Sequence, residues 1–277
     1  SKYLTERIEM QMSGSRYLFP LSIQLPPVEN LYDQAMEDMF LLLQKYGFSG
    51  VELNITDLDR YPPAELQKYL RRFGLQMTMF ATGALAKKHN LSLSDPNRDL
   101  WLKTVKICRQ IIEYAAELKA GVILGFIKGR PGGDRAEAND IFRESIGLLG
   151  QEALKYQVPV LIEATNHYES AVANTVEEAV SLVMGINNPY LRVLPDTYHM
   201  NIEERSSFGT LVKYQDFYES LHISDNNRLF PGLGGLDFAS LIRFLVNIGY
   251  KGTVAIEGKI KDDFQSKAFS CPRQISR

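Results

Sequence analysis

The sequence predicts a single (β/α)₈ barrel built from all 277 residues. Eight short apolar segments typical of strands alternate with segments that carry apolar residues at helical spacing. The segment GVILGFI at 121–127 is an almost uninterrupted apolar run, as expected of a parallel strand covered on both faces. An open doubly wound sheet is the alternative, but the GxGxxG turn typical of that fold follows none of the predicted strands.

The composition is that of an ordinary globular protein, with 45% hydrophobic and 23% charged residues. With 31 basic and 33 acidic side chains, the formal net charge is -2, so we expect no general attraction to nucleic acid or to an anionic membrane. Cys108 and Cys271 lack the spacing of a metal or redox pair, which indicates reduced thiols. The first residues match neither a signal peptide nor a membrane span, and we predict a cytoplasmic protein.

Start and stop signals separate the predicted strands along the chain. Asp95 and Pro96 start a long amphipathic helix. Thr175 and Glu178 form a capping box for a later helix, and Asp237 caps the helix before the last strand. The predicted strands cover 16–24, 50–55, 75–82, 121–127, 158–163, 191–196, 217–224 and 252–258; the predicted helices cover 29–46, 62–74, 95–119, 136–156, 175–187, 203–215 and 237–249, and 83–96 is predicted as a long loop.

The two ends of the chain are less well specified than its middle. Residues 1–16 are predicted to be a polar lead-in, and 261–277 is a weakly specified segment with a proline and few apolar residues at helical spacing. Closure of the barrel at its carboxyl end is therefore loose, or is supported by the lead-in or by a partner chain. The sequence does not decide whether the protein forms a homo-oligomer.

Four consecutive predicted strands each end on one side chain that can bind a metal ion or transfer a proton. VPVLIE ends on Glu163, LRVLPD on Asp196, YESLH on His222 and TVAIE on Glu257, at separations of 33, 26 and 35 residues. Each separation suits one βα unit, so all four side chains are expected at the rim where barrels of this kind carry their active sites. Three converging carboxylates repel one another without a cation, and an oxygen-rich set with one imidazole suits Mn²⁺, Mg²⁺ or Co²⁺ better than a structural zinc.

Two further pairs of residues are candidates on weaker grounds. Lys128 and Arg130, in KGRPGG, are predicted to bind a substrate carboxylate or phosphate, because glycines let the backbone approach an anion. A solvated turn is the alternative. Glu52 and Asn54 alternate with apolar neighbours and therefore point into the barrel, where we expect an interior polar network rather than catalysis.

The segments IEATNHYE, PDTYHMNIEE, HISDNNRLFPGLGGLDF and AIEG resemble signature stretches of the sugar isomerase/epimerase family of xylose isomerase-like TIM barrels. The resemblance spans about residues 17–260 and is greatest to the ketose 3-epimerase branch, of tagatose/psicose type, and to keto-sugar-acid epimerases. It implies a TIM-barrel isomerase that acts on a small-molecule sugar. Because of the near-neutral net charge, we expect neither nucleic acid nor a membrane as partner.

The same resemblance implies roles for the four strand-end residues. Glu163, Asp196, His222 and Glu257 would bind a divalent metal ion, with Mn²⁺ expected first and Mg²⁺ or Co²⁺ as alternatives. Glu163 and Glu257 would also act as acid and base on opposite faces of the sugar. Removal of the proton next to the carbonyl would form a cis-enediolate that the metal ion stabilises.

Three more positions match family residues that bind substrate oxygens near the carbonyl: Glu169, His199 and Arg228. His167 departs from the pattern, because related sequences carry arginine there.

Other functions for this site remain open. A cyclic keto-polyol (inosose-type) isomerase or dehydratase would use the same metal ligands. A phosphodiester hydrolase like endonuclease IV needs a three-zinc cluster with more histidines than the four in this chain. A non-catalytic sugar-binding barrel is disfavoured because both proton-transferring glutamates are present.

Overall fold

The computed structural model describes residues 17–259. Within them, eight parallel strands form one sheet and alternate with helices along the chain. The strands are β1 (Leu21–Gln24), β2 (Gly50–Leu53), β3 (Gln76–Ala81), β4 (Gly121–Leu124), β5 (Val160–Glu163), β6 (Leu191–Leu194), β7 (Ser220–Ile223) and β8 (Thr253–Ile256). The α-helices are α1 (Gln34–Lys45), α2 (Pro63–Arg71), α3 (Gly83–His89), α4 (Arg98–Glu117), α5 (Arg135–Tyr156), α6 (Val176–Ile186), α7 (Thr197–Glu203), α8 (Ser207–Lys213) and α9 (Phe238–Asn247).

The sheet curls into a nearly closed barrel. Its strand order runs β6, β5, β4, β3, β2, β1, β8, β7, so every neighbouring pair but one is a parallel ladder. At the remaining seam, β6 and β7 meet through an isolated parallel bridge between Asp196 and His222. The His222 amide donates to the Pro195 carbonyl there at 3.0 Å. The predicted (β/α)₈ fold class is confirmed.

Burial follows the two-layer pattern of such barrels. All four residues of β2, β4, β5 and β7 are buried, as expected for parallel strands covered by helices on one side and by the barrel interior on the other. A separate cluster of four side chains packs together from four adjacent strands, β3 to β6: Met79, Ile123, Leu161 and Leu194. Leu161 lies two residues before Glu163, so both side chains project from the same face of β5.

Local signals account for most helix ends. The capping box of Thr175 and Glu178 is present at the start of α6, and Asp237 accepts a hydrogen bond from the Ser240 amide at the start of α9. The predicted start of the long helix at Asp95 is wrong by three residues. Asn97 caps α4 instead, because its side-chain oxygen accepts from the two amides that follow Arg98.

The predicted long loop 83–96 is also wrong in its first half. Helix α3 occupies Gly83–His89, where alanine, leucine and lysine favour a helix, and Asn90 ends it in the left-handed region at φ 52°. The weak helical segment predicted around 203–215 corresponds to α8, whereas α7 lies before it, directly after Asp196, and was not predicted.

No helix within residues 17–259 is long and apolar enough to cross a bilayer. The predicted polar lead-in and weakly specified carboxyl-terminal segment lie outside the described residues. A single domain for the whole chain stays a prediction.

The packing of α4 predicts an unreactive thiol. Cys108 is 1% exposed, and burial raises the pKa of its thiol to about 12. Because the thiolate is the reactive species, we expect a Cys271→Ser variant to resist a disulfide reagent at about pH 8 while folded and to react fully once denaturant unfolds it. Full labelling within seconds in native buffer would contradict this packing.

Candidate metal centre and active site

The structure brings together the four strand-end residues predicted as metal ligands. One ligand atom each from Glu163, Asp196, His222 and Glu257 lies within 4.8 Å of the others. Asp196 and His222 are fully buried, Glu163 is 6% exposed, and the Glu257 side chain is 24% exposed. The group could hold a metal ion and, among residues 17–259, it is the one group of its kind.

Backbone features place the acidic members of the group. Glu163 ends β5, beside Gly125 from the turn after β4. A Cβ on Gly125 would lie 2.4 Å from Glu163 Oε2, so a larger residue there would displace the carboxylate. Asp196 caps α7, and its Oδ1 accepts from the Tyr198 amide at 2.8 Å. Its Oδ2 remains directed at the other members of the group.

His222 lies at the centre of the group and contacts carboxylates through both ring nitrogens. Its Nδ1 is 2.7 Å from Glu257 Oε2 and 3.4 Å from Glu163 Oε1. Its Nε2 is 2.8 Å from an oxygen of Glu52 on β2. Burial lowers the pKa of His222, but the charges of Glu52 and Glu257 outweigh burial and hold this pKa well above its ordinary value.

The two glutamates of the group have opposite pKa shifts. Burial, together with the nearby Glu257 charge, raises the pKa of Glu163. Burial also raises the pKa of Glu257, but Arg228 and His222 outweigh it and hold this pKa well below the usual range. The shifts differ because Arg228 contacts Glu257 and makes no such contact with Glu163.

Arg228 joins two of the acids. Its guanidinium lies 2.7 Å from Asp196 Oδ2 and 2.9 Å from Glu257 Oε2, and it stacks 4.8 Å from the centre of the Tyr198 ring. The loop after β7 holds Arg228 at φ 63°, in the left-handed region.

Asp225 organises the loop that carries Arg228. Its buried carboxylate accepts hydrogen bonds from the main-chain amides of Gly232 at 2.9 Å and Leu236 at 3.0 Å. A Cβ at Gly234 would lie 2.4 Å from this carboxylate, so the loop closes this tightly only with glycine there.

The donor set fits a divalent cation on two counts. Glu163 Oε1 is buried and receives no hydrogen bond from residues 17–259, although an unpartnered buried oxygen is costly. The buried charges are also unequal. Four carboxylates gather around the site, from Glu52, Glu163, Asp196 and Glu257, whereas Lys128 and Arg228 are the lysine and arginine in contact with them or with their main chain. A doubly charged ion bound by a neutral His222 would balance the charge of four ionised carboxylates against these two cations.

The group opens into a cavity of about 600 Å³ at the carboxyl ends of the strands. Both Glu163 and Glu257 line it, together with three predicted substrate contacts, Glu169, His199 and Arg228. Apolar residues also line it, among them Leu25, Pro26, Pro27, Ala84 and Phe126. A cavity that combines apolar lining with a few polar and charged side chains is typical of a small-molecule site.

His199 is held in one tautomer. The main-chain N–H of Asn166 donates to His199 Nδ1 at 3.0 Å, so the proton of the neutral ring lies on Nε2. Nε2 is 4.0 Å from Glu163 Oε1, and His199 is 2% exposed. The ring can therefore donate a hydrogen bond to an oxygen bound beside Glu163.

Lys128 and Arg130, predicted to bind a substrate anion, do not line the cavity. Lys128 is fully buried, and its Nζ donates to the Glu163 carbonyl at 2.6 Å and to Thr165 Oγ1 at 2.9 Å. Burial lowers its pKa to about 8. Arg130 instead pairs with Asp95 at 3.2 Å. In this structure both cations secure loops around the site.

His167, which stands where related sequences have arginine, contacts an acid of the next βα unit. Its main-chain N–H donates to Glu203 Oε1 at 2.7 Å, its Nδ1 lies 2.5 Å from the same oxygen, and its ring packs on Tyr168. His167 thus makes a local hydrogen-bond contact with Glu203 but does not line the cavity.

Sequence reasoning predicted the four residues that the structure brings together, but it missed several residues around them. The expectation that Glu52 belongs to an interior polar network is confirmed, but its contact with His222 was not foreseen. Two cavity lysines, Lys87 and Lys259, also gave no signal, because each lies in an ordinary polar stretch.

Comparison with known proteins agrees with the predicted resemblance. A family model described as "Xylose isomerase-like TIM barrel" matches residues 40–269. D-psicose 3-epimerase of Enterocloster bolteae is 37% identical over 226 residues, which cover 76% of this chain and 72% of that protein. 3-Dehydro-D-guloside 4-epimerase of Escherichia coli is 33% identical over 250 residues, which cover 84% and 90%. These relatives are sugar epimerases, so the predicted enzyme class, isomerase, is confirmed at that level.

Solved structures agree in fold. The apo form of 3-keto-D-glucoside 4-epimerase from E. coli superposes with a TM-score of 0.78 at 22% identity, covering 93% of this chain and 98% of that chain. D-Psicose 3-epimerase with D-tagatose, from Clostridium cellulolyticum, superposes with a TM-score of 0.75 at 22% identity and covers 93% and 91%. The family match over most of the chain, together with this shared barrel, shows that the protein belongs to the xylose isomerase-like TIM-barrel family.

Proposed function

We propose that this protein is a divalent-metal-dependent epimerase of a ketose or keto-sugar derivative, which inverts a carbon next to the carbonyl. One observation carries the proposal: Glu163 and Glu257 both belong to the metal-binding group and both line the same cavity. Along the sheet, two strands separate β5 from β8 in one direction across the seam and four in the other. The two carboxylates can therefore approach a bound sugar from different sides.

The reaction needs only a proton to leave one face of a carbon and another to arrive at the opposite face. One glutamate takes the proton from the carbon next to the carbonyl, which leaves an enediolate, and the other glutamic acid returns a proton from the other side. Positive charge from the cation, proposed to be Mn²⁺ with Mg²⁺ or Co²⁺ as alternatives, favours that anion. No oxidation state changes overall.

Three other residues are proposed to hold the sugar in place. His199 offers Nε2–H beside Glu163, and Arg228 offers its guanidinium beside Glu257. Glu169 lines the cavity and can accept from a sugar hydroxyl. Fixing the substrate in a reactive orientation contributes to the rate independently of the two bases.

The ligand chemistry supports an epimerase over the alternatives. One imidazole with three carboxylates is an oxygen-rich set, unlike the histidine-rich cluster of a three-zinc phosphodiester hydrolase. The names of the relatives support a sugar substrate, since they are ketose 3-epimerases and a 3-dehydro-guloside 4-epimerase. A cyclic keto-polyol belongs in the substrate panel as the competing case.

Metal binding should stabilise the protein through the four-residue group. Mn²⁺ at about 100 times its dissociation constant should add about 2.7 kcal/mol to the free energy of unfolding, measured by urea denaturation, and a chelator should reverse the gain. Asp196→Asn should lose most of this increment. Asp95→Asn, which alters a buried aspartate outside the group, should keep it; equal loss in both variants would contradict the assignment.

The two glutamates should be separable by isotope exchange. With one base missing, one epimer of the substrate should exchange its proton with heavy water without being inverted, and the other epimer should stay inert. Glu163→Gln and Glu257→Gln should select opposite epimers, measured by NMR on a panel of ketoses, keto-sugar derivatives and cyclic keto-polyols at saturating Mn²⁺.

Glu169→Gln is the matched control for this experiment, because it changes a cavity glutamate outside the metal group. It should raise KM and still invert both epimers. Full inversion by Glu257→Gln with metal bound would rule out the two-base reaction.

A further inference from the structure

A hydrogen-bonded chain connects the metal-binding group, through Glu52, to Gln24 and Asn54 in the cavity wall. Glu52 on β2 is 2% exposed, and its Oε2 lies 2.8 Å from His222 Nε2, although 170 residues separate the two in sequence. Gln24 on β1 donates to the same oxygen at 3.1 Å. Asn54 is 3.4 Å from the side-chain oxygen of Gln24.

We propose that Glu52 is the positioning residue that keeps the His222 proton on Nε2 and so reserves Nδ1 for the divalent cation. The inference rests on the proposed metal site but does not depend on which sugar is bound. Glu52 does not line the cavity and therefore acts through His222 rather than on the substrate.

The chemistry of imidazole leads to this role. A neutral histidine has one N–H and one lone pair, and only the lone pair can bind a cation. Both ring nitrogens face carboxylate oxygens, Nε2 at 2.8 Å from Glu52 Oε2 and Nδ1 at 2.7 Å from Glu257 Oε2, so a lone pair on either would repel its neighbour unless a cation lay between them. Only Nδ1 faces Glu163, Asp196 and Glu257, the group that could hold a cation, so a cation bound there would accept the Nδ1 lone pair. The proton on Nε2 then makes a charge-assisted hydrogen bond to Glu52.

Glu52 also acts through its charge. A carboxylate that accepts from one imidazole nitrogen makes the other nitrogen a stronger donor to a metal ion. The amide of Gln24 fixes the shared Glu52 oxygen from β1, so two neighbouring strands hold the carboxylate against the ring. His222 itself is on β7, at the seam of the barrel.

A purely structural role makes different predictions. If Glu52 served only to cross-link β2 and β7, its loss would lower the stability of the metal-free protein. It would leave the protonated nitrogen of His222 unchanged. Metal affinity and the position of the proton therefore separate the two roles.

The first measurement needs only the native chain. In protein labelled with ¹⁵N-histidine and loaded with Zn²⁺, which is diamagnetic, long-range ¹H–¹⁵N spectra should show His222 protonated on Nε2 and coordinated through Nδ1. A proton on Nδ1 would overturn the proposal without any variant.

The second measurement titrates Mn²⁺ into metal-free protein by calorimetry, with no sugar present. Glu52→Gln keeps the shape but removes the charge, and it should weaken Mn²⁺ binding by about 10- to 100-fold. Glu52→Asp keeps the charge and should recover part of the loss. Ser22→Ala, which changes another buried polar residue of the barrel interior on β1, should bind as the native chain does.

Each outcome bears on a separate statement. A Glu52→Gln affinity within about threefold of the native value would overturn the role of Glu52 and leave the proposed epimerase intact. A native chain that binds no Mn²⁺ would overturn the metal site itself. If Glu52→Gln does not fold, the native NMR spectrum and Glu52→Asp still decide the question.

Discussion

Negative charge concentrated at the seam of the barrel is the constraint on which this structure depends. Glu163, Asp196 and Glu257 surround Nδ1 of the buried His222 ring, and Glu52 adds a fourth carboxylate at Nε2. Such a cluster is strongly unfavourable in a medium of low dielectric constant unless cations offset it. The buried cations Lys128 and Arg228 offset part of this negative charge, and a doubly charged metal ion would offset the rest.

The seam connects the fold to the site. Strands β6 and β7 do not form a full ladder, and the bridge that joins them consists of Asp196 and His222, two members of the metal-binding group. Metal binding would tie together residues from four strands at the place where backbone pairing is weakest.

Cations around the site divide into those that face the cavity and those that secure its frame. Arg228 reaches the acids because Asp225 and the glycines after β7 fold the loop back on itself. Lys128 is buried and donates to the main-chain carbonyl of Glu163. It therefore holds the end of β5 and does not face the cavity.

The sequence by itself determined most of the elements and several of the residues that end them. Apolar runs, helical spacing and caps such as Thr175 with Glu178 are local signals, and the barrel follows from their alternation. The grouping of the four strand-end residues could be predicted because a parallel barrel brings all carboxyl ends to one rim. Helix α3 was missed because no capping side chain marks its start.

Only the tertiary structure decided what each side chain meets. Glu52 contacts His222 across 170 residues, and no local pattern reports such a distance. Lys128 and Arg130 occupy one glycine-rich basic loop. Lys128 is buried and bonds to the main chain of Glu163, whereas Arg130 pairs with Asp95. Periodicity records the face on which a residue lies, whereas its partner depends on how distant strands close around the barrel.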